Sequence, residues 1–155
     1  MDGSFALSRL KQERKEWRKT HPYGFVARPT KNENQILDYF EWDCIVPGKK
    51  GTLWAGGKFK MKLYFPEDYP ASPPKARFVP PLFHVNCYPS GTVCLSILSD
   101  GWKPGINLKQ IMLGIQNWFD DPNPESPAQR PALELFLKDR GEYDQKIREQ
   151  TAQNL

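Results

Sequence analysis

Proline placement sets the tightest limits on what this chain can fold into. Fifteen of its 155 residues are proline, and proline fixes φ and has no N–H to give, so it is excluded from helix interiors and central strands. Tyr69-Pro70-Ala71-Ser72-Pro73-Pro74 and Pro80-Pro81 therefore read as rigid connections outside any ladder, and they leave room between them for one short strand, Lys75 to Val79. Before them the pattern is strand-like. Phe59, Met61, Leu63 and Phe65 alternate with Lys60, Lys62 and Tyr64 over Lys58–Phe65, and Phe25–Arg28 and Ile36–Val46 read as two earlier strands. Pro47-Gly48-Lys49-Lys50-Gly51 and Ala55-Gly56-Gly57 mark turns, which predicts an antiparallel meander of four strands. Leu82 to Pro104 has no sustained period, and so long an irregular stretch in a compact domain points to function.

Helices flank this middle. Leu7, Leu10 and Trp17 recur at helical spacing from Ala6 to about Thr20, ending before His21-Pro22-Tyr23-Gly24. Leu108, Ile111, Met112, Ile115, Trp118 and Phe119 form the stripe of a central buried helix, with Asn107 as cap and Gln110 completing a capping box. Ser126-Pro127-Ala128-Gln129 offers a further cap, with Pro127 in the first helical position, for a helix to about Lys138. A polar helix over Glu142–Gln153 completes an α+β domain.

Composition narrows the function. A chain of this length with 39% hydrophobic residues suits one domain spanning residues 1–155. No apolar stretch approaches the roughly 20 residues that cross a bilayer, and Met1-Asp2-Gly3-Ser4 is not the start of a signal segment. The expectation is an intracellular protein without a membrane partner. Cys44, Cys87 and Cys94 are odd in number and lack any Cys-x-x-Cys pair, which fits free thiols in a reducing compartment. With that spacing and two histidines, no metal site is expected. Most of the net charge of +4 sits in the first 20 residues, where six Lys or Arg face three Asp or Glu. Lys11, Lys15 and Lys19 form one row of the first helix, and Arg14 and Arg18 the next. Such a patch raises the question of nucleic acid, yet the stretch has neither an RNA-reading aromatic motif nor finger spacing, so no nucleic-acid partner is expected.

The chemistry centres on Cys94. Tyr88-Pro89-Ser90-Gly91-Thr92-Val93-Cys94-Leu95-Ser96-Ile97-Leu98 sets a thiol between a Pro-Gly turn and an apolar run, after His84-Val85-Asn86. The turn leaves the sulfur within reach of a large partner, while Val93, Leu95, Ile97 and Leu98 anchor the segment. A free cysteine, with a pKa near about 8.5, is partly thiolate at neutral pH and attacks an existing thioester readily. A lysine amine with a pKa near about 10.4 is almost wholly charged at pH 7, so an enzyme passing an acyl group to it must desolvate and orient it.

These residues, together with Trp102-x-Pro104, resemble the active region of enzymes of the ubiquitin-conjugating fold, and the wording around Cys94 resembles the SUMO-conjugating members. The likeness runs from about Leu7 to Glu149 and includes Gln12-Glu13-Arg14-Lys15, His21-Pro22 and Leu113-Gly114-Ile115-Gln116. It implies an N-terminal helix, a four-stranded meander, an active-site segment, a central helix and two C-terminal helices. It implies further that a SUMO-like modifier is accepted from the SUMO-activating enzyme as a thioester on Cys94. The modifier then passes to lysines of protein substrates, with SUMO ligases assisting. The enzyme would be a monomer of nucleus and cytoplasm needing no cofactor; a relative loading ubiquitin or another modifier is the alternative.

Residue by residue, the resemblance assigns Asn86 to ordering the loop and stabilising the oxyanion, beside the plainer reading of an Asx turn. His84 reads as structural. Tyr88 would pack on the incoming lysine's alkyl chain, unless it is a buried aromatic. Lys75, Arg77, Ser90 and Thr92 would receive the acidic residue two places after the target lysine, although the two cations could be plain strand surface. Arg14, Lys15, Arg18, Lys19 and His21 would dock the modifier or activating enzyme, or else form a solvated face.

The chain also departs from the family pattern. Ser126 stands where SUMO-conjugating relatives carry Asp, keeping a capping role and a hydroxyl at the lysine entrance but no charge. Val85 replaces the proline of His-Pro-Asn, Leu133 a tyrosine near the substrate peptide, and the link from Leu98 to Trp102 is two residues shorter than in SUMO-type relatives. Two rival readings are a cysteine hydrolase using His84, Asn86 and Cys94, and a non-catalytic module of the same fold.

Overall fold

The computed structural model describes residues 3–155, so Met1 and Asp2 of the opening quartet lie outside the described residues. Helix α1 (Gly3–Lys19) turns Ala6, Leu10, Glu13 and Trp17 inward at alternating spacings of four and three. Its last turn carries Arg18 and Lys19, favourable at the negative end of a helix dipole. Leu7, expected on the apolar stripe, is only half-buried, and Ala6 takes the inward position.

Strands β1 (Val26–Lys31), β2 (Leu37–Pro47), β3 (Lys58–Tyr64) and β4 (Lys75–Phe78) form one antiparallel sheet in the order β1-β2-β3-β4, the meander the turn signals predict. Register follows from the two-residue period of side chains. Trp42↔Leu63, Cys44↔Met61 and Val46↔Phe59 face the core, whereas Asp43↔Lys62 and Ile45↔Lys60 face away from it. Helix α2 (Leu108–Phe119) lays its six expected apolar residues on the inner face, and α1 packs there too. Each fully buried side chain of that size contributes about 1.5–3 kcal/mol, which more than offsets Gly114 in the helix interior. Gly114 eases the approach: a Cβ there would stand 2.7 Å from Ile97 Cδ1, so without it the Ile97 side chain of the 3-10 turn Ser96–Leu98 lies against α2 without having to turn aside.

The α2 cap is the expected box, with Gln110 N–H donating to Asn107 Oδ1 and Asn107 N–H to Gln110 Oε1, both at 2.9 Å. The next helix differs from its prediction. Helix α3 spans Arg130–Lys138 with Gln129 at the cap position and Pro131 in the first turn, so Ser126 does not cap it and Pro127 does not open it. The physical reason is that Ala128 N–H is drawn 2.8 Å to Val85 O, and the Gln129 side chain donates to Leu82 O and Cys87 O at 2.9 and 3.0 Å. Those bonds hold Ala128 and Gln129 against the irregular segment, with bends at Ser126 and Ala128 and extended backbone at Gln129. Helix α4 (Arg140–Ala152) begins two residues earlier than expected, because Asp139 accepts from Glu142 N–H and sets the start. Among the described residues no helix is long and apolar enough to cross a membrane.

Candidate active site

The chain leaving β4 doubles back as a tight hairpin. Tyr88 N–H donates to Thr92 O at 2.9 Å, Gly91 N–H to Tyr88 O at 2.8 Å, and Cys87 bridges to Val93. Gly91 takes φ +92°, and a side chain there would collide with Phe78 O. Phe78 N–H donates to Gly91 O at 2.8 Å and Val93 N–H to Ala76 O at 3.0 Å, so the returning limb is laid along β4. Register then brings four of the expected substrate contacts together: Arg77 pairs with Thr92, Lys75 is two residues before it, and Ser90 Oγ donates to Thr92 Oγ1 at 2.9 Å. Lys75 is exposed. Arg77 is half-buried, with Nη2 donating to Tyr64 Oη at 3.2 Å, and among the described residues neither cation is in an ion pair.

Cys94 leaves the end of this hairpin with its backbone held from two sides. Its N–H donates to Asn86 O at 2.9 Å and its carbonyl accepts from Trp118 Nε1 at 3.0 Å, while the residue as a whole stays half-exposed. Cys44 and Cys87 are buried; burial pushes the Cys44 thiol far up and that of Cys87 up to about 11. Since alkylating reagents attack thiolates, native protein at pH 7.5 is expected to take one equivalent of iodoacetamide, at Cys94. Cys44 and Cys87 should react at least about a hundredfold more slowly until urea is added, as peptide mass mapping will show.

Asn86 is 2% exposed and its whole side chain is engaged. Nδ2 donates to Asn123 O at 2.9 Å and to Ser126 O at 2.8 Å, and Oδ1 accepts from Asn123 N–H at 2.7 Å. Both amide hydrogens are thus spent on the loop of residues 123–126, and Ser126 sits in the site through its carbonyl while its side chain lies exposed. Tyr88 is 44% exposed and projects from the hairpin, so it is not the buried aromatic of the plainer reading.

His84 is wholly buried, its ring stacked on Trp118 at 3.8 Å and 15°. Nδ1 accepts from Asn86 N–H at 2.9 Å, which leaves the proton on Nε2 to point at Trp118 O (2.8 Å) and Phe119 O (3.1 Å). Burial holds its pKa down at about 4. With its one free lone pair, on Nδ1, already accepting from Asn86 N–H, His84 offers no base to Cys94, and His21 stacks on Trp17 at the end of α1. The arrangement suits exchange of one thioester for another, where the attacking thiolate needs no neighbouring base. Among the described residues no three His, Cys, Asp or Glu converge as a metal site.

The basic residues of α1 form a separate cluster. Lys15, Arg18, Lys19 and His21 are exposed, and Arg14 is half-buried with Nη1 donating to Tyr39 Oη at 3.2 Å. Arg14, Trp17, Arg18, His21 and Arg28 line an open groove of about 420 Å³ beside β1.

Residues 9–151 match the family model described as ubiquitin-conjugating enzyme. The chain belongs to the ubiquitin-conjugating enzyme family. Two relatives lie at about half identity. The SUMO-conjugating enzyme UBC9 of Caenorhabditis elegans is 48% identical over 147 residues, covering 94% of this chain and 89% of the relative. The SUMO-conjugating enzyme of Dictyostelium discoideum is 51% identical over 146 residues, covering 93% and 92%.

Within this ubiquitin-conjugating enzyme, sequence reasoning missed three residues that hold the site. Glu13 lies in α1 yet is buried, accepting from Arg9 Nε and Tyr69 Oη and, through Oε1, from Leu108 N–H at the start of α2. Its place on the inward face, with Leu10 and Trp17 on either side, is the one signal the sequence gives. Gln129 and Trp118 look like a cap and a core aromatic, and nothing local marks the bonds their side chains make. Val85 is fully buried and passes its carbonyl to Ala128, so the departure from His-Pro-Asn keeps the turn tied to the 126–129 segment.

Proposed function

We propose that this ubiquitin-conjugating enzyme carries SUMO. The observation that carries the reading is the near-half identity, over almost the whole of both chains, to two SUMO-conjugating enzymes, in a fold that exposes one thiol of three. In the first step the Cys94 thiolate attacks the thioester carbonyl carbon of the SUMO-loaded activating enzyme. A new carbon–sulfur bond forms to Cys94 and the activating enzyme's thiolate leaves, so ATP is spent on the activating enzyme and not here. In the second step a neutral substrate lysine attacks the same carbon. The isopeptide bond forms, Cys94 leaves as thiolate and the amine's proton passes to solvent.

In this proposal Lys75, Arg77, Ser90 and Thr92 receive an acidic residue downstream of the lysine, which their clustering at the end of β4 supports. Exposed Tyr88 lies against the lysine's alkyl chain, and the α1 face with Arg14, Lys15, Arg18, Lys19 and His21 meets SUMO or its activating enzyme. Asn86 acts on the reaction through the loop it clamps. The reading extends to a monomer of nucleus and cytoplasm that works with SUMO ligases and binds no nucleic acid. Loading with purified SUMO and ubiquitin systems in parallel, read on non-reducing gels, tests it: a reductant-sensitive SUMO adduct alone is expected, and an adduct with ubiquitin alone would overturn it.

Ser126 adds a sharper expectation. Its exposed side chain beside the Asn86 clamp puts no charge at the lysine entrance, so Ser126→Asp should raise single-turnover discharge to free lysine at pH 7 by about tenfold, by assisting loss of the amine proton. An unchanged rate would remove Ser126 from the lysine path.

A further inference from the structure

Four hydrogen bonds around Cys94 close into a ring in which every group donates in the same direction. Trp118 Nε1–H donates to Cys94 O, Cys94 N–H to Asn86 O, Asn86 N–H to His84 Nδ1, and His84 Nε2–H to Trp118 O. The direction is forced. Two of the donors are backbone N–H groups and one is an indole N–H, so the imidazole can complete the ring only as the neutral Nε2–H form. Within the ring the imidazole accepts at Nδ1 and donates at Nε2, so the two bonds it makes polarise one another in the low-dielectric interior.

We infer that Trp118 is a positioning residue for the reaction, fixing through its indole N–H the backbone that carries the Cys94 sulfur. Trp118 is 4% exposed and cannot swing, being stacked on His84 on one side and nearly parallel to Phe78, at 3° and 5.9 Å. Its N–H is therefore aimed at one point. Without that donor, only the Asn86 bond would hold the Cys94 peptide units, and the carbonyl would be free to turn away from α2. A thioester on Cys94 must present its carbonyl carbon to an amine along a narrow approach, and small displacements of a reacting group cost large factors in rate.

The inference rests on the thioester reading above, and the test separates the two. Trp118→Phe keeps an aromatic ring for the stack and removes the indole N–H together with part of the buried ring volume, so a packing control is needed beside it. Single-turnover discharge of SUMO-loaded enzyme to free lysine should show a maximal rate lowered about tenfold, with the lysine concentration at half-maximal rate unchanged. Ile111→Ala, a cavity in the same helix away from the ring, serves as the control for lost packing, with thermal unfolding of both variants measured alongside, and should discharge at the wild-type rate. A wild-type rate for Trp118→Phe, or an equal fall in the Ile111 variant, overturns the inference. Failure of the wild-type protein to form any reductant-sensitive adduct instead overturns the thioester reading. A measurement on unmutated protein covers the case in which Trp118→Phe does not fold. The Trp118 indole ¹H–¹⁵N resonance should be protected from solvent exchange and should shift when Cys94 is alkylated; rapid exchange with no shift overturns the inference.

Discussion

Asn86→Ala is expected to slow discharge of the Cys94 thioester to lysine by about a hundredfold and to remove about 3 kcal/mol of stability, one net hydrogen bond's worth for each of the three it makes. Single-turnover aminolysis and urea unfolding measure the two effects. The geometry says why they come together. Both Nδ2 hydrogens are held by Asn123 O and Ser126 O, so in this arrangement the amide is a clamp on the loop and has no hydrogen left over for an oxyanion. To serve the oxyanion directly, it would have to release one of those carbonyls. The clamp therefore predicts that amide exchange across residues 123–126 accelerates in the alanine variant. If the rate falls while that loop keeps its protection and the stability loss is absent, the side chain acts on the oxyanion and the clamp is incidental. Asn86→Asp sharpens the contrast: it keeps an acceptor for Asn123 N–H but sets a carboxylate oxygen against two carbonyls, so the loop should be released at least as fully.

Which parts of this arrangement could be read from residue order depends on the range of the interactions involved. The four strands follow from alternation and from turn residues, both local signals, and their bounds agree with expectation to within a few residues. The α2 stripe and its capping box are local as well, and they appear as expected. The failure at Ser126 is instructive because its local signal was sound: serine, then proline, then glutamine is a good helix start. It lost to bonds to Leu82, Val85 and Cys87, some forty residues away in sequence, which hold Ala128 and Gln129 against the irregular segment before α3 can begin. The site divides in the same way. Cys94, Asn86 and the β4 cations could be named from motif and resemblance, but what each touches could not. Glu13, Gln129 and Trp118 act on backbone groups 24 to 95 residues distant, and no period or motif encodes such a pairing.

Acidification should loosen the fold well before the carboxylates are fully protonated, and His84 is the reason. An exposed histidine titrates near 6.5, whereas burial holds His84 at about 4. The folded state is thus the harder one to protonate. Above pH 6.5 neither state carries the proton and the full stability is present; between 6.5 and 4 the unfolded chain takes up a proton that the folded chain refuses, so stability drops as pH falls; below 4 the loss levels off. The total is about 3 kcal/mol, of which roughly 1 kcal/mol is gone by pH 5.5. Urea unfolding at pH 7.0, 6.0 and 5.5 should show this decline, with proton uptake on unfolding approaching about one per molecule near pH 5.5. His84→Asn, which cannot titrate, should be less stable at pH 7 but nearly flat over the same range. An equal slope in wild type and variant would assign the decline to other groups. The ring of hydrogen bonds adds a local consequence. A proton on Nδ1 would face the N–H of Asn86, donor against donor, so protonating His84 breaks the ring at the link nearest the loop that holds Cys94. The Trp118 indole resonance should therefore move with the same low midpoint as His84, while the protein is still folded.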